Sequence, residues 1–120
     1  MARRSEFIEH VVETMRRFGP VDVRRMFGGW GFYHEGLFFA LTADDILYFK
    51  SDDENRADFD AQKLPHFTFV KKGETVETSY RQAPDNAFES AEVMAEWCRR
   101  GYAAALRAAA RKRPRKIRAT

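Results

Sequence analysis

A chain of 120 residues with 44% apolar content, eleven of its aromatic residues Phe, is sized for one domain with an ordinary core. Its single cysteine, Cys98, excludes an internal disulfide and a thiolate metal centre, and no apolar run approaches the roughly 18–20 residues that span a bilayer. The net charge of +3 is unevenly placed: residues 107–120 hold seven of the 21 basic residues and no acid, which leaves residues 1–106 near −4.

Ser5 followed by Glu6 predicts a helix start. Phe7, Ile8, Val11, Val12 and Met15 then recur at three- and four-residue spacings along one stripe. The same segment is too charged for a secretory signal, with Glu6, Glu9 and His10 inside it, so a cytoplasmic protein is expected. Gly19-Pro20 ends the helix.

From Val21 to Lys50 the pattern is that of strands: Val21 to Met26, Trp30 to Tyr33, Leu37 to Leu41, and Ile46 to Phe49. Gly28-Gly29, His34-Glu35-Gly36 and Asp44-Asp45 separate them as turns, and such short connections favour an antiparallel meander. The run Leu37-Phe38-Phe39-Ala40-Leu41 lacks alternation and reads as a central strand covered on both faces.

Asp52-Asp53-Glu54 supplies acids for the start of a short second helix reaching about Gln62. A hairpin follows, pairing Phe67 and Phe69 with Val76, Thr78 and Tyr80 across Lys72-Gly73-Glu74. Gln82 to Glu89 reads as a loop. Ser90 then caps a long helix that faces Val93, Met94, Trp97, Cys98 and Tyr102 inward. Beyond Leu106 the alanines Ala108-Ala109-Ala110 keep the helix going with little to bury, up to Pro114.

The expected architecture is α+β in two layers, an antiparallel sheet of about five to six strands with helices packed on it, in the order α-β4-α-β2-α. Its expected boundaries are a domain over 1–106 and a basic tail over 107–120. Oligomeric state is left open between monomer and homodimer, since the second hairpin offers a sheet edge that Lys71 and Lys72 partly protect.

Candidate chemistry is sparse. His10, His34 and His66 stand at no ligand spacing from one another, Cys98 lies on an apolar helix face, and the pairs Asp44-Asp45 and Asp52-Asp53 have turn and cap explanations. No nucleophile elbow or phosphate loop is present, so no catalytic residue, cofactor or metal ligand is assigned. Gly28-Gly29-Trp30-Gly31 precedes a strand, where an anion site would need a helix. It reads as a tight turn or as part of a recognition surface with Arg24, Arg25, Phe27 and Trp30, to which Asp52, Asp53 and Arg56 are candidate additions. The tail residues Arg107, Arg111, Lys112, Arg113, Arg115, Lys116 and Arg118 read either as a sequence-independent nucleic-acid contact or as a solvated segment.

Taken together, Arg25-Met26-Phe27-Gly28-Gly29, Gly31, Tyr33, Phe39-Ala40-Leu41 and Leu47-Tyr48 form a pattern. It continues through Lys50, Asp52-Asp53, Asn55-Arg56, Phe59, Pro65, Phe67, Ser79-Tyr80 and Pro84. This pattern, over about residues 10–106, resembles the TfoX/Sxy N-terminal domain family. The resemblance implies helices packed on an antiparallel sheet and a place among bacterial regulators of competence for DNA uptake. Full-length members act there as transcription coactivators alongside a cyclic-AMP-responsive activator, and the family supplies no catalytic residue. Those members carry a second, C-terminal domain where this sequence has its basic segment, and Arg81 stands where an aromatic is more usual.

The function expected is a non-enzymatic binding module that regulates transcription or competence-related genes through a protein partner, the transcription machinery or an activator. The alternative is a nucleic-acid accessory protein that binds through its tail.

Overall fold

A computed structural model describes residues 5–26 and 28–112. The chain runs α1 (Glu6–Thr14), a 3-10 turn (Met15–Arg17), β1 (Asp22–Met26), β2 (Gly29–His34), β3 (Leu37–Ala43) and β4 (Ile46–Lys50). It continues with α2 (Arg56–Ala61), β5 (His66–Lys71), β6 (Glu74–Gln82), a 3-10 turn (Asp85–Glu89) and α3 (Ala91–Lys112). The six strands form one antiparallel sheet in the order β1-β2-β3-β4-β6-β5. This is the α+β architecture expected from the sequence, with its helix and strand order.

The helix starts follow local chemistry. Ser5 accepts the amide of Ile8 through its hydroxyl, and Ser90 accepts that of Val93 in the same way, so each satisfies an otherwise orphaned donor. The second helix departs from expectation by beginning at Arg56. The Asp52 carboxylate accepts the amides of Glu54 and Asn55 in a tight turn, so helical geometry begins only after Asn55.

All helices pack on one face of the sheet. Gly101 of α3 lets that helix approach β3 and β4 closely: a Cβ there would come within 3.1 Å of the Phe39 carbonyl oxygen and 3.2 Å of the Phe49 ring. Ile8, Val11, Met15, Phe32, Phe39, Leu47, Phe49, Phe59 and Met94 are wholly buried in this layer. Each large side chain so buried stabilises the fold by roughly 1.5–3 kcal/mol. Phe59 meets Trp97 at 5.0 Å between ring centroids, which ties α2 to α3.

A register shift opposite Phe32 and Tyr33 explains why the Leu37–Leu41 run does not alternate. Phe39 turns to the helix side, against Phe18 and Tyr102, and Ala40 pairs with Phe49 there. Phe38 turns to the other side, against Tyr33 and Tyr80. α3 crosses the middle of the sheet from the helix side. β5 lies at the far edge, with Phe69 42% and Val70 71% exposed.

Candidate partner-binding surface

The glycines that begin β2 serve three different ends. Gly28 turns the chain with φ +79° in open space, a conformation that side chains resist. At Gly29 a Cβ would overlap the Thr42 carbonyl oxygen of β3, and at Gly31 one would come 2.8 Å from the Met26 sulfur and 2.9 Å from the Phe38 ring. The turn therefore lets β1 double back on β2, while the next two glycines admit neighbours.

The pairing of β1 with β2 sets Arg25 opposite Trp30, with the guanidinium carbon 5.6 Å from the indole centre. Arg24 points to the opposite face and lies 4.6 Å over the Tyr33 ring. Both arginines are exposed, on an edge strand whose outer backbone groups have no strand partner among the described residues. Resting on aromatic faces, they are held in place at little entropic cost to a later contact. Phe27 lies outside the described residues.

Asp52, Asp53 and Arg56 are elsewhere. Strand register puts the Gly28 turn at the same end of the sheet as Ala43 and Ile46, whereas Asp52 follows Lys50 at the opposite end. Asp52 is bound bidentately by Arg107, with Nε to Oδ2 at 2.6 Å and Nη2 to Oδ1 at 2.9 Å. The Arg107 hydrogen bonds hold the Asp52 carboxyl below the usual carboxylate range, against the opposing effect of its burial. Asn55 completes the junction: its amide donates to the Lys50 and Arg100 carbonyls, and its oxygen accepts the Asp52 amide. Asp53 and Arg56 form an exposed pair at 3.5 Å, of small energetic weight.

Of the basic candidates, Arg107 is engaged by Asp52, while Arg111 and Lys112 are exposed at the end of α3 without an ion pair among the described residues. α3 is unbroken across residues 106 and 107. Arg113, Arg115, Lys116 and Arg118 lie outside the described residues. A cleft of about 450 Å³ is lined by Lys50, Ser51, Asp52, Asp53, Glu54, Ser79 and Arg111. Partial burial holds Lys50 below the usual lysine range, and the charges of Lys112 and Arg111 press the same way against Asp52.

The titratable groups weighed for chemistry hold structure together. His34 and His66 each share a hydrogen bond with a backbone carbonyl, that of Pro20 and of Thr78, and His10 stacks on Phe88. Asp44 and Asp45 form the β3–β4 turn with positive φ. Cys98 is wholly buried, and that burial pushes its thiol far above the usual range. Among the described residues, no group of three or more His, Cys, Asp or Glu side chains could hold a metal ion, and no helix is long and apolar enough to cross a membrane.

Sequence reasoning missed two features. Buried Arg81 donates to the Leu64 carbonyl and Asp60, beside the Phe59 ring, and so fills a helix-side position. Tyr33, Phe38 and Tyr80 form a continuous row on the other face. The register shift at Phe39, the extra residue of β3, hid this row from strand alternation.

Comparison with known proteins adds an independent line. The family model described as the TfoX N-terminal domain matches residues 13–105. The DNA transformation protein TfoX1 of Aliivibrio fischeri is 30% identical over 76 residues, which cover 63% of this chain and 36% of that protein. The chain thus matches little more than a third of this relative's length.

Proposed function

Because the chain belongs to the TfoX N-terminal domain family, we propose that it is a non-enzymatic binding module. It acts in the cytoplasm on genes of the competence type, through a protein partner in the transcription apparatus. The relative named as a DNA transformation protein supports the process, and the β1–β2 hairpin supports the mode. The observation that carries the reading is the pair of exposed arginines, Arg24 and Arg25, each resting on a ring along an unpaired strand edge. Such an edge offers backbone hydrogen bonds to an extended segment of a partner, and the arginines offer charge-assisted bonds to its acids.

A reporter fused to competence-gene promoters in the source cell tests this directly. Arg24→Glu with Arg25→Glu is expected to lower the protein's effect on the reporter at least fivefold, at unchanged abundance. A reporter that does not respond to the wild-type protein would count against the regulatory role. A charge-reversed variant as active as wild type would remove the hairpin from it.

A second reading has Arg111 and Lys112 contacting duplex phosphates sequence-independently, favoured by their exposure and lack of ion pairs among the described residues. Binding that weakens steeply with salt, and weakens further in Arg111→Gln with Lys112→Gln, is the expected sign.

A further inference from the structure

The sheet face opposite the helices carries a row of rings, of which the proposed regulatory role uses only the seat of Arg24 on Tyr33. Tyr33, Phe38 and Tyr80, on β2, β3 and β6, follow one another at centroid separations of 5.3 and 5.4 Å. All three are half-buried, and among the described residues no helix lies over them. Two cations lie against the row. Arg24 stands 4.6 Å over Tyr33 at its β1 side, and the ammonium of Lys50, on β4 between the strands of Phe38 and Tyr80, lies 5.2 Å from the Tyr80 ring. Beyond Lys50 the face runs into the cleft lined by Arg111 and also by Asp52, Asp53 and Glu54.

The charges at this end are sorted. Asp52 and Glu54 are met by Arg107, and Asp53 by Arg56, so the nearby acids have partners. Lys50, Arg111 and Lys112 have no carboxylate within ion-pair distance among the described residues. Asp22, paired in register with Tyr33, is the acid beside Arg24. A row of rings, each tilted by 36–37° to the next, with cations lacking ion pairs beside it is the complement of a strand with unstacked bases and a phosphate backbone. A duplex hides its base faces, so it cannot stack on such a row.

We propose that this open sheet face binds single-stranded nucleic acid, with bases stacked on Tyr33, Phe38 and Tyr80 and phosphates drawn to Lys50 and the Arg111 cleft. The site is separate from the Arg25–Trp30 side of the hairpin, which faces the other way. It also differs in kind from a basic tail, because rings select single strands and charge alone does not.

The test is fluorescence anisotropy of the full chain with labelled 20-nucleotide oligothymidine, oligouridine and a duplex of the same length, across several salt concentrations. Either single strand is expected to bind at least tenfold more tightly than the duplex, and the stronger of the two identifies DNA or RNA as the source of the ligand. Tyr33→Leu with Phe38→Leu keeps apolar volume while removing two rings. It should weaken single-strand binding by about tenfold or more and leave duplex binding unchanged. If that variant does not fold, Lys50→Gln decides: it should weaken the single-strand complex and reduce its salt slope by about 0.7. Equal affinity for strand and duplex, or ring and Lys50 variants that bind as wild type does, would overturn the proposal.

Discussion

Arg107 and Asp52 lie 55 residues apart in the chain, yet the guanidinium of one closes on the carboxylate of the other through two hydrogen bonds. This pair fixes the last turns of α3 to the β4–α2 junction. It also sets the direction in which the basic end of that helix leaves the body.

Removing the Asp52 charge should therefore loosen the junction. Asp52→Asn is expected to lower stability by about 1.5–3 kcal/mol, the range of a hydrogen bond to a charged group, measured from urea midpoints at neutral pH. Because folding depresses this carboxyl's pKa, its contribution is complete above the unfolded value near 3.8 and disappears as the pH falls through the lower folded value. The gap between wild type and Asp52→Asn should close in that acid window. A gap that persisted there would mean the charge is not what matters.

The two glycines at the first hairpin should respond in opposite measure. Gly28→Ala meets open space and suffers only the left-handed backbone, about 1–2 kcal/mol. Gly29→Ala drives a methyl into the Thr42 carbonyl, a backbone group that cannot swing aside, and should cost more than about 3 kcal/mol or prevent folding. Thermal melts of the two variants in one buffer check the order.

Asn55 joins three backbone segments from a site only 5% exposed. Asn55→Ala leaves the Asp52 amide without its partner and the Lys50 and Arg100 carbonyls without this donor, and should cost about 2–3 kcal/mol by chemical denaturation. Arg56→Ala, one residue away, removes only an exposed pair and should stay within about 0.5 kcal/mol of wild type.

Cys98 should be inert in the native protein. Its thiol is buried and held in the protonated form, so a disulfide reagent at pH 8 should modify it only as fast as the chain unfolds. Immediate and complete reaction without denaturant would mean the helix layer is far more open than its packing indicates.

Much of this was legible in residues that act locally. Ser5 and Ser90 announce their helices because a cap works within three residues, and Lys72-Gly73 announces its hairpin because positive φ favours a turn there. The family pattern was legible too, and the match over residues 13–105 shows it. What stayed hidden depends on register. Arg24 and Arg25 are neighbours in sequence, but strand alternation sends them to opposite faces, so a single patch read from the sequence is two. Asp52 looked like a helix cap, yet its strongest partner stands far along the chain, beyond the reach of any local pattern. One extra residue in β3 moved Phe39 to the core and left Phe38 on the open face.

The regulatory role depends most directly on what touches Arg25. A photo-crosslinking amino acid placed there, and separately at the exposed Lys63 beyond α2, can be irradiated in growing cells and the adducts identified by mass spectrometry. The expected result is one discrete adduct from position 25, to a subunit of RNA polymerase or to a DNA-bound activator, with none from position 63. No adduct at position 25, or the same adducts from both positions, would contradict a partner-binding role for the hairpin.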